Sequence, residues 1–352
     1  MYTIDQVRES IGQPDEELTK KAQEKLDNLT KPKASLGRLE EIAKKIVSIT
    51  GNLKPSLDRK YIATMAADHG IVTEGVSAYP KEVTTQMVLN FLNNGAAINV
   101  LCKHIGAEVI VVDVGVDHDF KGHPRLFSEK IMRGTNNFLK GPAMSEEQAL
   151  QSINAGIRTT EKLLSMGCDI IGTGDMGIGN TTASSAIASV ICKIPVKKVT
   201  GRGTGIGQKE MENKIKVIEE AIKVNRPDRK NCIDILAKVG GLEIGGIAGL
   251  ILGCAMNKVP VVIDGFISGA GALIAEGIEP KSAKYMLASH CSVEVGHKII
   301  LEKLGLRQML DFNMRLGEGT GAALGINIAE ASIKILNEMA NFDSAGVSKK
   351  ND

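Results

Sequence analysis

Apolar positions fall along the chain in two alternating rhythms. Short apolar runs occur at 61–67, 108–114, 169–173, 259–263, 284–288 and 310–314, most of them continuous and stopping at Gly, Asp or His. Between them lie longer stretches with helical spacing, such as 82–104, 145–166 and 208–224. The second of these opens with a capping box, Ser145 followed three residues later by Gln148, and stops at Gly167. Strands without polar alternation, separated by helices, predict an α/β fold: a parallel sheet of about six strands with helices on both faces. Residues 14–50 read differently, as two polar helices joined by Lys31-Pro32-Lys33-Ala34-Ser35-Leu36-Gly37-Arg38, with no strand. The last five residues, from Ser348, read as a frayed tail.

Composition narrows the class. Of the 352 residues, 43% are apolar but only 3% aromatic, with no tryptophan, so the core must be aliphatic. The 38 glycines cluster between apolar runs, as ligand-binding loops do. A net charge of +2 supplies no field for nucleic acid or an anionic membrane. The longest apolar segment, 244–256, is too short to span a bilayer. Its Gly245, Gly249 and Gly253 recur at every fourth position, which suits close helix packing. Six widely spaced cysteines, none in a C-x-x-C pair, read as free thiols in a reducing compartment. The N-terminus carries Asp5, Arg8 and Glu9 rather than a secretory signal, so a cytoplasmic protein is expected.

Ligands of open α/β sheets bind beyond the carboxyl ends of the strands. The loops there read Asp68-His69-Gly70, Gly115-Val116-Asp117-His118, Gly174-Asp175-Met176-Gly177, Asp264-Gly265-Phe266, Ser289-His290-Cys291-Ser292 and Gly317-Glu318-Gly319. Glu318 is a carboxylate between two glycines, with apolar neighbours beyond them. Glycine permits unusual turns and close ligand approach, and a partly dry site raises a carboxyl pKa toward useful basicity. The pattern fits a general base; the bland alternative is a glycine-rich turn with one exposed acid. Asp175 falls on the same rim. The run Gly172-Thr173-Gly174-Asp175-Met176-Gly177-Ile178-Gly179-Asn180-Thr181-Thr182 leads into a helix expected near Ala183, and its freed N–H groups form an anion site or a tight structural turn. It is not a Walker A loop. Lys214, after Gly201-Arg202-Gly203-Thr204-Gly205, reads by spacing as an exposed helical lysine. His118 and His123 with Asp117 and Asp119 read as solvated loop residues rather than metal ligands, and Cys291 beside His290 does not read as a nucleophile.

Several segments together closely resemble the nicotinate-nucleotide–dimethylbenzimidazole phosphoribosyltransferase family. They are Lys31 to Glu40, Asp68-His69-Gly70, Gly75-Val76-Ser77-Ala78-Tyr79-Pro80 to Gln86-Met87, Gly174 to Thr182, Gly201 to Gly205, Val261 to Ser268, and Met314 to Leu324. The resemblance covers nearly the whole chain. It implies a Rossmann-like sheet at 59–325 and a small helical domain built from 1–58 and a C-terminal helix within 326–352. It also implies a homodimer with no cofactor and no metal. The implied reaction moves the phosphoribosyl group of nicotinate mononucleotide onto 5,6-dimethylbenzimidazole, releasing nicotinate. By the same resemblance Glu318 is the base and Asp175 an auxiliary carboxylate. Ser77, Tyr79, Gln86, Met87 and Leu316 line the base pocket. Gly174, Gly177, Ile178, Gly179, Asn180, Thr181, Gly203, Thr204, Gly205, Lys214 and Ser292 receive phosphate and ribose. Asp175 stands where members can carry glutamate, Gly207 where aspartate is common, and Cys291 where arginine or another polar residue is. Another acceptor (a different benzimidazole, adenine or a phenol) or a non-catalytic subunit of a heteromeric enzyme stays open.

Overall fold

Strand β1 (Lys60–Ala67) is buried along its whole length, and its successive side chains enter two different cores. Ala63, Met65 and Ala67 join one apolar cluster, with Ile153, Ile157, Ile247 and Ile251 from the helices Glu146–Ser165 and Leu242–Met256. Ile62 and Ala66 join the other, with Ile42, Ile46, Ile98 and Ile326 from the helices Arg38–Thr50, Ala97–Ile105 and Thr320–Glu338. A strand covered on both faces needs no polar alternation, which is why the run reads as continuous. This computed structural model describes residues 1–348; all of the expected frayed tail but Ser348 lies outside the described residues.

Five further strands follow: β2 (Ala107–Gly115), β3 (Leu126–Ser128), β4 (Ile170–Met176), β5 (Val261–Ile263) and β6 (Met286–Ala288). The order is β3-β2-β1-β4-β5-β6, and every pair is parallel. The chain reverses its direction of winding between β1 and β4, and a crevice opens outside the strand ends at such a point. The helices Glu16–Asp27 and Arg38–Thr50 pack on each other and on the helix Thr320–Glu338. That last helix runs unbroken through the expected boundary at 325/326. Among the described residues no helix is long and apolar enough to cross a membrane.

The structure corrects four expectations. Residues 310–314 are not a strand: Leu310 makes one isolated bridge to His290, and Asn313 at φ 55° ends any extended run. The sixth strand is β3, too short and polar-flanked to be seen alone, and defined by its pairing with Val111 to Asp113. The stretch 82–104 is two helices, Glu82–Leu92 and Ala97–Ile105, separated where Asn94 turns left-handed at φ 60°. The helix expected near Ala183 begins at Asn180. The capping box at Ser145 and Gln148 is present, and residues 208–224 are helical within Gln208–Asn225.

Candidate active site

Glu318 sits in a turn that few sequences can make. Gly317, Glu318 and Gly319 have φ of 80°, 63° and 98°, three successive residues in the left-handed region. For glutamate that conformation costs roughly 1–2 kcal/mol, so neighbouring elements must hold it. From β1, Thr64 Oγ1 donates to the Glu318 carbonyl (3.1 Å). Beyond β5, the Asp264 carboxylate accepts from Gly319 N (3.2 Å) and Ala322 N (3.0 Å) at the start of the following helix. In β4, a Cβ on Gly174 would lie 2.5 Å from the Glu318 carbonyl oxygen, so only glycine lets this strand pass beneath.

The Glu318 side chain is 6% exposed and opens onto a cavity of about 660 Å³. Burial raises its pKa above the ordinary glutamate value, while Ile98 N–H (3.4 Å from Oε2), at the start of the helix Ala97–Ile105, pulls it back. A helix N-terminus favours the anion. The net effect is a carboxylate that takes up a proton more readily than a solvated one.

Tyr79, Met87, Leu316, Asp175, Gly177, Ile178, Asn180, Thr181, Gly203, Thr204 and Ser292 line the same cavity. Gly174 lies beneath it in β4, and Gly179 behind it against Val72 and His69. Gly205 ends the loop just outside the wall. Ser77 faces Thr204, whose Oγ1 also accepts from Ala78 N (3.0 Å), tying two rim loops together. Gln86 is not on this cavity: it borders a smaller one of about 270 Å³ with Asp68, Lys81 and Asp117. The loop residues around His118 are exposed, and Asp117 and Asp119 face Arg133.

Lys214 overturns its reading as an exposed helical residue. It is fully buried, its ammonium donates to Thr181 Oγ1 (2.7 Å), and burial lowers its pKa to about 8. A one-dimensional pattern cannot show that its helix, Gln208–Asn225, lies behind the helix Asn180–Cys192 and points this side chain at its first turn. Cation and helix N-terminus together make an anion site. Asp175 accepts from Asn180 Nδ2 (3.1 Å), and its pKa is raised well above the usual range by burial and by the nearby Asp264, Glu243 and Glu318 carboxylates. Beneath, His69 Nε2 and Glu243 Oε1 pair at 2.8 Å, both fully buried.

Four residues here were not singled out from sequence. Asp264 positions the Glu318 turn, and burial raises its pKa to about 7 despite three backbone N–H donors. Glu294 accepts from Gly203 N (2.9 Å), and Arg315 donates to Gly203 O (2.8 Å), so two loops grip that glycine from either side. His290 forms part of the wall. Asp264 and His290 stood in loops placed on the rim by their position after strands, and Asp264 and Arg315 also lay within segments that carry the family resemblance, without a role of their own; Glu294 carried no signal beyond lying beside such a loop.

Known proteins match this fold and this sequence from end to end. A family model described as phosphoribosyltransferase matches residues 11–347. The nicotinate-nucleotide–dimethylbenzimidazole phosphoribosyltransferase of Geobacter sulfurreducens is 53% identical over 99% of both chains, and that of Geobacter metallireducens 54% identical over 100% of both. The crystal structure of CobT from Thermus thermophilus superposes with a TM-score of 0.91 at 42% identity, covering 95% of this chain and 100% of that one. The chain belongs to the nicotinate-nucleotide–dimethylbenzimidazole phosphoribosyltransferase family.

Proposed function

We propose that the protein transfers the 5-phosphoribosyl group of nicotinate mononucleotide to 5,6-dimethylbenzimidazole, giving α-ribazole 5′-phosphate and nicotinate for nucleotide-loop assembly of cobalamin. One observation carries the reading: a buried carboxylate, Glu318, opens onto the same cavity as Thr181 at the Asn180–Cys192 helix start, which the buried Lys214 ammonium meets from behind. The phosphate sits against Thr181, the Gly203–Thr204 backbone and Lys214, which fixes C1′ within reach of a base held by Tyr79, Met87 and Leu316. One benzimidazole nitrogen attacks C1′ with its lone pair. The C1′–N bond to the pyridinium breaks, and its electron pair neutralises the ring as nicotinate leaves. The second benzimidazole nitrogen gives its proton to Glu318, which makes the attacking nitrogen more electron-rich as the bond forms. A pyridinium needs no acid to leave, so the remaining work is holding the two rings on opposite faces of the ribose. Asp175, its charge disfavoured by its neighbours, serves beside Glu318 as an auxiliary group and, when protonated, does not repel the phosphate.

The protein acts as a cytoplasmic homodimer in this reading. Its six cysteines are free thiols, and Val293, Val295, Phe312 and Leu316 are exposed at the cavity rim, on segments joined by the Val293 N–Met314 O bond. Chromatography of reactions containing nicotinate mononucleotide and a panel of bases tests the chemistry. Product with dimethylbenzimidazole is expected from the purified chain alone; its absence while adenine or a phenol reacts would overturn the acceptor, and turnover only after a second protein is added would overturn self-sufficiency.

A further inference from the structure

His290 is 2% exposed, yet it lines the cavity. Its ring packs directly over Gly321, where any Cβ would collide with it, so only glycine admits the ring at this place. Its protonation pattern follows from its neighbours. Ser289 Oγ donates its one hydrogen to the Asp264 carbonyl (3.0 Å), so the same oxygen accepts from His290 Nδ1 (3.1 Å). The neutral ring therefore carries its hydrogen on Nδ1 and its lone pair on Nε2. Burial favours that neutral form, with Asp311 acting weakly against it. Among the described residues Nε2 has no hydrogen-bond partner, and the adjoining wall is Gly265, Phe266 and Ile267. His297, 6.0 Å away, cannot serve instead, because its Nδ1 accepts from Ser292 N (2.9 Å) and its Nε2 is sealed.

A fixed acceptor aimed into a cavity needs a donor from the ligand. On the reading proposed above, on which this inference rests, the reactants hold few. The phosphate offers mainly acceptors, the nicotinate carboxylate and its pyridinium ring offer no N–H or O–H, and the benzimidazole N–H is committed to Glu318. Only the ribose hydroxyls are left. We infer that His290 Nε2 accepts a hydrogen bond from a ribose hydroxyl of the nucleotide substrate, holding the sugar while its C1′ reacts.

Two variants separate this role from a structural one. His290→Asn keeps a donor toward Ser289 but removes the atom at Nε2; His290→Gln places an amide oxygen near it. Each is assayed with nicotinate mononucleotide and with its 2′-deoxy and 3′-deoxy analogues. The wild type is expected to prefer the ribonucleotide over one analogue, and His290→Asn to lose about fivefold in kcat/KM, the worth of one neutral hydrogen bond, on the ribonucleotide alone, so that the preference disappears. His290→Gln should restore part of it, and the KM for the base should stay unchanged. Equal losses on all three nucleotides, a preference that survives in His290→Asn, or a raised KM for the base would each overturn the inference. So would a loss of preference for nicotinate over nicotinamide mononucleotide, which would mean a protonated ring bound to the carboxylate. If the wild type does not turn over nicotinate mononucleotide at all, the proposed function fails first and this inference falls with it.

Discussion

Glu318 spends backbone strain to reach its position, and neighbours from two strands and from the loop after a third hold it there: Thr64, Gly174 and Asp264. Strain of this kind at a cavity is a reason to look for chemistry. Glu318→Gln keeps the shape and the Ile98 contact but cannot take a proton, so kcat is expected to fall about 10²–10⁴-fold with little change in the nucleotide KM. A steady-state comparison checks this, and near-normal turnover would move the base elsewhere. The pH profile carries the sign. An acid with a raised pKa loses its charged form as pH falls through that pKa, so log kcat/KM should drop on the acid side with a midpoint above the ordinary 4.5, and Glu318→Gln should lack that limb. The alkaline side belongs to Lys214: its charge is lost as pH rises through about 8, so kcat/KM for the nucleotide should fall there, and Lys214→Arg should remove the decline. Glu318 and Asp175 were legible because their glycine-rich settings are local. Lys214 was not legible from spacing, only through the family resemblance, since its burial depends on a helix packed from elsewhere, and Asp264 acts through backbone groups of a segment distant in sequence.

At the scale of elements, legibility followed how much each one owes to its own residues. The helix Glu146–Ser165 carries its capping box in four consecutive residues, and its limits agree with the sequence pattern to within a residue at each end. The strands buried on both faces declare themselves as unbroken apolar runs. Residues 310–314 have an apolar alternation that passes for a strand, but they run beside 289–293 and make only loop hydrogen bonds. The short β3 exists only through β2, and no pattern of its own announces it. The glycines of the helix Leu242–Met256 have the spacing of packing positions, and the contacts explain them: at Gly249 a Cβ would meet the Ile153 carbonyl, and at Gly253 the Thr160 side chain of the facing helix. Backbone cannot yield as a side-chain tip can. Gly249→Val should therefore destabilise the fold by about 1–3 kcal/mol or more, the usual cost of overpacking, read as a lower midpoint in urea with unchanged slope. An unshifted midpoint would mean that the two helices separate without penalty.

The whole molecule adds what no segment contains. Strand order decides which loops meet, and β1 beside β4 brings the Asp68–Gly70 turn under the Gly177–Gly179 loop, while β5 beside β4 brings Asp264 to the Glu318 turn. Strands and loops come in series along the chain, and a parallel sheet of six could be ordered many ways; only the assembled sheet shows that the reversal between β1 and β4 is where the cavity lies. The proposed homodimer would also account for a surface cost. Phe312 is 61% exposed and Val295 58% exposed, close to the mouth where a substrate must enter, and an apolar cluster there is a liability for a lone chain. A second copy of the chain covering it would both hide the patch and narrow the opening toward solvent. Sedimentation velocity of the purified protein should then show a dimer at micromolar concentration. The double variant Val295→Asp with Phe312→Asp places two like charges on the contact and should shift the protein to monomer, with an unfolding midpoint that no longer depends on concentration. Neither residue lies in the interior, so a monomer that keeps its far-ultraviolet dichroism would locate the contact at this rim. A variant that remains dimeric would put the interface on another face and leave the mouth of the cavity to be closed by the chain's own loops.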